Sequence, residues 1–416
     1  MKIYIETVGC KLNQFETQAM KDHLKSNQIE VVQDEMLADT VIINTCSVTN
    51  KADTKSRYLM KKAKNAGKKV VVTGCYATTD FNQLSELEYV DLVIRNDSKY
   101  QIAPILLNVM DFKESGESMS EFPEVLEFEQ TRAFLKIQDG CDKFCSYCKI
   151  PHARGRSRSF HPDKIFEYAE RLINKGYKEI VITGINISDY HYGDYSLLGI
   201  TKKILTIPGS YRLRLSSLQP DEFEKGFLDL LYNPSFAAHF HLSLQSGSKT
   251  VLSRMERNYT PEYFLELCNE IRKVRSDTGI TTDIIVGFPE ETDSEFEETR
   301  YLVEAAEFSR VHLFSYSKRS HTKASKMREV NPDIKKKRLL ELEETGFHVS
   351  KKFIEREVLG KPQRILSEGV EDGMSAGYTD NYIKIFSEKP LEYNQFHQIV
   401  PERLKISTSS IELISE

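Results

Sequence analysis

The chain has 416 residues, 40% of them apolar and 29% charged, with a formal net charge of −5 at pH 7. That length accommodates two or three domains, and the mild acidity argues against a uniformly basic nucleic-acid coat. No long uncharged apolar run is present, which excludes a transmembrane span, and MKIYIETVGC reads as a strand and not as a targeting segment.

The first hundred residues alternate short β-branched runs with polar helical stretches. Strands are predicted near Ile3–Ile5, Val41–Ile43, Val70–Val72 and Leu92–Ile94, which implies a parallel sheet with crossover helices. Cys10, Cys46 and Cys75 each follow one of the first three strands within a few residues. Ligands of an open parallel sheet bind beyond the carboxyl ends of its strands, so these thiols are expected to converge into a three-thiolate site. The alternative is that they are small buried core residues. Residues 110–129, acidic and punctuated by Gly and Pro, read as a linker, and the first domain is expected to span 1–115.

A second domain is expected over 131–352. Strand then helix repeats about six times, with strands near Phe134–Ile137, Ile180–Thr183, Leu213–Ser216, His241–Leu244, Asp283–Val286 and Val311–Phe314. That pattern predicts an open (β/α)6 barrel with its chemistry at the carboxyl ends of the strands. After the first strand come Cys141, Cys145 and Cys148, spaced C-x3-C-x2-C. A cubane cluster has four irons, so three thiolates leave one iron open to a small molecule. Zinc is the other reading, with His152 as the fourth ligand. Seven cysteines, odd in number and clustered, suit metal or redox chemistry in the cytoplasm better than a secreted disulfide framework. Cys268 falls on a helical stripe with Phe264, Leu267, Ile271 and Val274 after the start signal Thr260-Pro261, and is read as core.

Charge is uneven along the chain. From Arg132 to Arg158 seven Lys/Arg face two acids, and Arg154, Arg156 and Arg158 are candidates for phosphate contact. From Lys318 to Arg338 nine face two, which reads equally as a solvated helix and loop. From about Phe353 to Glu416 short alternating segments with Gly punctuation predict a small β-barrel. Nine Lys/Arg against eleven Asp/Glu from Lys351 onward leave that barrel weakly acidic.

The cysteine loop is the signature of the radical S-adenosylmethionine superfamily. With the runs Glu6–Thr17, Asn44–Thr49, Thr73–Cys75, His241–Ser248 and Thr282–Thr292, the chain resembles the methylthiotransferases over nearly its whole length. The resemblance implies an N-terminal cluster domain, a central radical barrel and a C-terminal TRAM-like barrel over 353–416. It implies two [4Fe-4S] clusters, one on Cys141, Cys145 and Cys148 to cleave S-adenosylmethionine, the other on Cys10, Cys46 and Cys75 to present sulfur. Tyr147, Thr183, Gly184 and Asn186 match the family's cofactor-binding positions, with a packing aromatic as the alternative for the Tyr147 side chain. Ser216, Gln245 and Asp283 are candidates for the ribose or carboxylate, with plain strand polarity as the alternative. Gly9–Glu16, Ile150–Ser159 and Thr183–Tyr190 resemble the branch acting on tRNA that carries N6-threonylcarbamoyladenosine next to the anticodon. The implied partners are the tRNA anticodon loop and a low-potential electron donor such as flavodoxin or ferredoxin, with no membrane. Arg319-Ser-His-Thr322 departs from the Arg-Pro-Gly-Thr frequent in the family. Rival readings are a methylthiotransferase for isopentenyladenosine in tRNA or for a ribosomal protein, and a zinc-stabilised RNA-binding protein.

Overall fold

The computed structural model describes residues 1–47, 49–107, 124–128, 131–406 and 411–415. Most of the linker expected over 110–129 lies outside them. The chain divides into two compact units. One comprises Met1–Phe128, Gln138–Phe160 and Ser317–Ser325; the other comprises Glu129–Ile137, His161–Tyr316 and Lys326–Glu416.

In the first unit, β1 (Lys2–Thr7), β2 (Glu30–Val31), β3 (Thr40–Thr45), β4 (Lys69–Gly74) and β5 (Leu92–Val93) form one parallel sheet in the order β2-β1-β3-β4-β5. Side chains alternate between faces. Ile3, Ile5, Ile42 and Val71 pack with Met20 and Leu24 of α1 (Lys11–Ser26) on one side. Val41, Ile43, Val70 and Val72 pack with Met60 and Ala63 of α2 (Asn50–Asn65) on the other. The β2 strand went unpredicted because two residues carry no periodicity. The strand order reverses between β1 and β3, which is the switch point where ligands of such sheets bind.

The segment Gln138–Phe160 belongs to this unit. It is closed at its base by an antiparallel pair, Gln138–Asp139 with Arg158–Ser159, and between these strands carries the short helix α4 (Ile150–Arg154), which packs against α3 (Cys75–Thr79). Gly140 is required there. Its φ is +74°, and a Cβ would stand 1.9 Å from the Arg156 carbonyl oxygen.

In the second unit all six expected barrel strands form: β6 (Arg132–Lys136), β7 (Glu179–Thr183), β8 (Arg212–Leu215), β9 (His239–Leu242), β10 (Gly279–Val286) and β11 (Arg310–Ser315). Every pairing is parallel, with β8 breaking at Ser216 and resuming at Ser217–Leu218 beside β9. Each strand begins earlier than predicted, most of all β10, which opens at Gly279, ahead of the expected Asp283. The outer helices include α5 (Pro162–Asn174), α6 (Pro261–Val274), α7 (Asp293–Ala306) and α8 (Pro332–Glu357). Thr260 caps α6, with Pro261 in its first turn. Cys268 is fully buried in that helix, where desolvation pushes its thiol up to about 12.

The C-terminal region folds as a six-stranded sheet, β12 (Gln363–Glu371), β13 (Met374–Thr379), β14 (Lys384–Ser387), β15 (Phe396–Ile399), β16 (Arg403–Ile406) and β17 (Ile411–Ser415), in the order β15-β12-β13-β14-β17-β16. Its core of Ile365, Ile383, Ile385 and Leu413 receives Phe353, Ile354 and Val358 from α8 and the turn after it. Gly279 marks where the barrel meets this sheet, since a Cβ there would lie 2.2 Å from the Asn381 carbonyl oxygen. No helix among the described residues is long and apolar enough to cross a membrane.

Candidate functional site

The ends of β1, β3 and β4 bring Cys10, Cys46 and Cys75 to one edge of the first sheet. Register pairs Thr7 with Asn44 and Thr45 with Gly74, so the three loops leave from neighbouring strands. Gly9, with φ +122°, lets its loop lie against the next one. A Cβ on it would stand 2.6 Å from Cys46 Cβ and 3.1 Å from Cys46 Sγ. Gly74, with φ +98°, does the same against Thr45. Asn13 ties the loops together: its amide donates to the carbonyls of Val8 and Thr45 at 2.8 and 3.0 Å, and its Oδ1 lies 3.7 Å from Cys10 Sγ. Cys10 is exposed, while Cys46 and Cys75 are buried.

The loop carrying Cys141, Cys145 and Cys148 turns its backbone toward its own sulfurs. The amide of Lys143 donates to Cys141 Sγ at 3.4 Å and that of Ile150 to Cys148 Sγ at 3.5 Å. Such N–H donors favour the thiolate, the form that binds iron. The donor set therefore fits an iron-sulfur cluster. Among the described residues no three His, Cys, Asp or Glu side chains are gathered around the place of a single metal ion. A cluster binds each thiolate on a different iron, so its ligands stand further apart. His152, the alternative zinc ligand, is exposed, with its ring edge-on to Phe144 at 6.2 Å.

Arg154 is placed differently from the phosphate contact expected of it. It is buried, and its guanidinium forms a fork on Glu16 at 2.7 and 2.9 Å, reaches Asp139 at 3.2 Å and Asn13 Oδ1 at 3.3 Å, and donates from Nε to Cys75 Sγ at 3.3 Å. Two carboxylates enclosing a buried cation leave no room for a phosphate. Burial lowers its pKa, but Cys75, Glu16 and Asp139 more than reverse this, so the cation persists. Lys99 completes the cluster, 2.6 Å from Glu16 and equally buried. Arg156 and Arg158 are exposed; Arg156 pairs with Asp142 at 3.3 Å and lies over the Phe144 ring.

Sequence reading missed Glu16 and Lys99, and with them two further anchors. Lys149 holds Asp80 and Ser320 at 2.9 Å each, and Arg319 holds Asp53 at 2.7 Å and Asn50 at 2.6 Å. Glu16 had one visible signal: Leu12, Glu16 and Met20 share the i, i+4 stripe of α1, a charge in an apolar row.

Of the remaining candidates, those of the second unit lie at or just beyond strand carboxyl ends, except Asp283, which is in the middle of β10. Thr183 closes β7, with Gly184 and Asn186 just beyond; Asn186 is buried and donates to Glu222 at 3.2 Å. Ser216 sits in the break of β8, its amide on the Ile182 carbonyl. Gln245 takes a left-handed φ of +68°, costly for a side-chain-bearing residue. It is held by backbone bonds to Asp283 and Ile285, which brings Gln245 and Asp283 together. Asp283 also meets His241 at 3.1 Å, at the end of a row in which Thr281 Oγ1 lies 2.9 Å from His241 and 3.0 Å from His239. Tyr147 is half-buried in the cysteine loop.

Comparison with known proteins agrees with this architecture. A model of the radical SAM superfamily matches residues 135–303, and one described as Uncharacterized protein family UPF0004 matches residues 2–95. The chain is 40% identical over 402 residues to the threonylcarbamoyladenosine tRNA methylthiotransferase MtaB of Aquifex aeolicus, covering 93% of this chain and 97% of that protein. It is 40% identical over 399 residues to the protein of the same name from Thermotoga maritima, covering 92% and 90%. Among solved structures, the radical S-adenosylmethionine methyltransferase TsrM of Kitasatospora setae, with cobalamin and a [4Fe-4S] cluster bound, shares the fold at TM-score 0.59 and 14% identity, over 78% of this chain and 74% of that one. With its three-cysteine loop, six parallel barrel strands and full-length likeness to these enzymes, the chain belongs to the radical SAM methylthiotransferases.

Proposed function

We propose that this enzyme adds a methylthio group to C2 of N6-threonylcarbamoyladenosine next to the anticodon of tRNA, with two [4Fe-4S] clusters and two molecules of S-adenosylmethionine. The observation that carries the reading is that Cys10, Cys46 and Cys75 follow three neighbouring strands at the carboxyl edge of one sheet, in a chain with a second three-cysteine loop. Three thiolates per cluster leave one iron open in each. The two full-length relatives bear the name of this activity. When bound, cluster and cofactor supply the one-electron chemistry that an unactivated C–H bond requires and no side-chain acid or base provides.

The chain's own residues hold and orient. Cys141, Cys145 and Cys148 hold the cluster that takes S-adenosylmethionine, and Cys10, Cys46 and Cys75 the one that presents sulfur. Tyr147, Thr183, Gly184, Asn186, Ser216, Gln245 and Asp283 contact the cofactor, with the strained Gln245 backbone fixed against Asp283 for that purpose. Arg156 and Arg158 are the exposed cations for the phosphates of a single-stranded loop whose base is splayed out. The setting is cytoplasmic, with a low-potential flavodoxin or ferredoxin as electron source.

The test is anaerobic turnover of the reconstituted enzyme with S-adenosylmethionine, a reductant and bulk tRNA carrying both threonylcarbamoyl- and isopentenyladenosine, followed by nucleoside mass spectrometry. A methylthio gain on the threonylcarbamoyl nucleoside alone is expected. A gain on the isopentenyl nucleoside would replace the substrate, and cofactor cleavage without gain on either would point to a protein.

A further inference from the structure

A guanidinium has five N–H groups in a fixed plane, and at Arg154 each nitrogen faces an acceptor. Nη1 and Nη2 meet Glu16, Asp139 and Asn13; Nε is left for sulfur, 3.3 Å from Cys75 Sγ. The same Asn13 oxygen that accepts from Arg154 lies 3.7 Å from Cys10 Sγ, and its amide holds the Thr45 carbonyl immediately before Cys46. One side chain thus reaches all three cysteine loops, directly or through Asn13. Its backbone lies on α4, six residues after Cys148. Lys99 and Asp139 balance Glu16 and Arg154 in charge, so what distinguishes the sulfur environment is the directed Nε–H bond and not a net field.

We propose that Arg154 is a positioning residue for the Cys10, Cys46 and Cys75 cluster, donating a charge-assisted hydrogen bond to the Cys75 ligand sulfur. This inference rests on the reading that those cysteines hold a cluster. A cation hydrogen-bonded to a ligand sulfur draws electron density from it and raises the reduction potential. A fork locked on Glu16 keeps the donor in place through turnover. Lysine keeps the charge but cannot make both the fork and the sulfur contact.

The experiment uses the full chain with Cys141, Cys145 and Cys148 all replaced by Ala, so that iron reports the other three cysteines. Reduction potential by EPR-monitored titration, and iron release to a chelator, are compared with and without Arg154→Lys, with circular dichroism to verify the fold. A shift to more negative potential and several-fold faster iron release are expected. Glu16→Asp, which keeps the charge but draws the carboxylate back from the fork that holds the donor, is expected to shift the potential in the same direction by a smaller amount and decides the matter if the lysine variant does not fold. Unchanged potential and release in a folded Arg154→Lys protein, or, where that protein does not fold, an unchanged potential with Glu16→Asp, would overturn the role of Arg154 alone. Failure of the triple-alanine protein to bind iron with Arg154 in place would overturn the cluster reading as well.

Discussion

Two buried glutamates, one in each unit, are built alike and serve differently. Glu16 is bridged by Arg154 and Lys99. Glu179, the first residue of β7, is bridged by Arg212 and Arg214, with Arg132 adding its charge. Burial would raise the Glu179 carboxyl, yet these three arginines hold it well below the ordinary carboxylate range. The difference lies in strand direction. Arg132, Glu179 and Arg212 open their strands, at the amino ends of the barrel, and the two arginines reach Glu368, Tyr382 and Asp380 of the C-terminal region. Glu16 and Arg154 gather where strands of the first sheet finish, and their last donor ends on sulfur. In parallel α/β architecture the amino end is the place for scaffold and the carboxyl end for chemistry. Similar ionic hardware is here assigned by that rule.

Cutting each network in the same way tests the contrast. Glu179→Ala takes the carboxylate from buried Arg214 and leaves Arg212 with Asp380 alone, and should cost about 3–5 kcal/mol, read as a lowered urea midpoint, with the iron content of the folded fraction unchanged. Glu16→Gln keeps the shape and one acceptor, so about 2–3 kcal/mol is expected. There the loss should come with altered EPR and visible spectra of the reconstituted protein. A spectral change on the Glu179 side, or none on the Glu16 side, would dissolve the division.

The local half of this arrangement was legible in the chain and the distant half was not. Runs such as Val70-Val71-Val72 and the cysteine after each of three strands announce a sheet and the edge where those cysteines lie, because period and adjacency are local. The charge in the apolar stripe of α1 is local too. Its partner Arg154 is 138 positions away, and no periodicity links them; read by neighbourhood, Arg154 joins Arg156 and Arg158 as a basic surface run. The polar interior hid strand starts for the same reason. His239 is buried against Thr281 of β10 and Tyr382 of the C-terminal region, partners distant in sequence, so the local pattern reads as a strand from His241.

A third ionic site, away from both glutamates, supplies the pH dependence. Glu295 completes the capping box of α7 with Thr292 and pairs with Arg254 at 2.9 Å. Desolvation raises its carboxyl, and hydrogen bonds from Arg254, Thr250 and the Thr292 amide outweigh this, lowering it from 4.5 to about 2. A depressed carboxyl contributes stability that is complete above its unfolded value and is lost as pH falls through the folded one. Glu295→Gln should therefore cost about 2 kcal/mol at pH 7 after allowance for partial exposure. The gap from the parent should close between pH 4.5 and 2. A gap constant over that range would mean that the amide cap, and not the charge, carries the effect.

The smallest cut divides charge from packing within the barrel floor itself. The Tyr382 ring stacks on Tyr378 at 4.8 Å and lies beneath the Arg214 guanidinium at 4.0 Å, while its hydroxyl accepts from Arg132 at 2.8 Å. Tyr382→Phe keeps the ring contacts and removes only the hydroxyl. Arg132 retains Glu368 at 3.0 Å, so no charge is stranded, and a neutral acceptor is worth about 1 kcal/mol. A loss near that value by urea unfolding, with the variant still folded as one cooperative unit, places the strength of this floor in the Glu179 charges. A loss comparable to Glu179→Ala would instead make Tyr382 the joint between barrel and C-terminal sheet, with the arginines held in register by its hydroxyl.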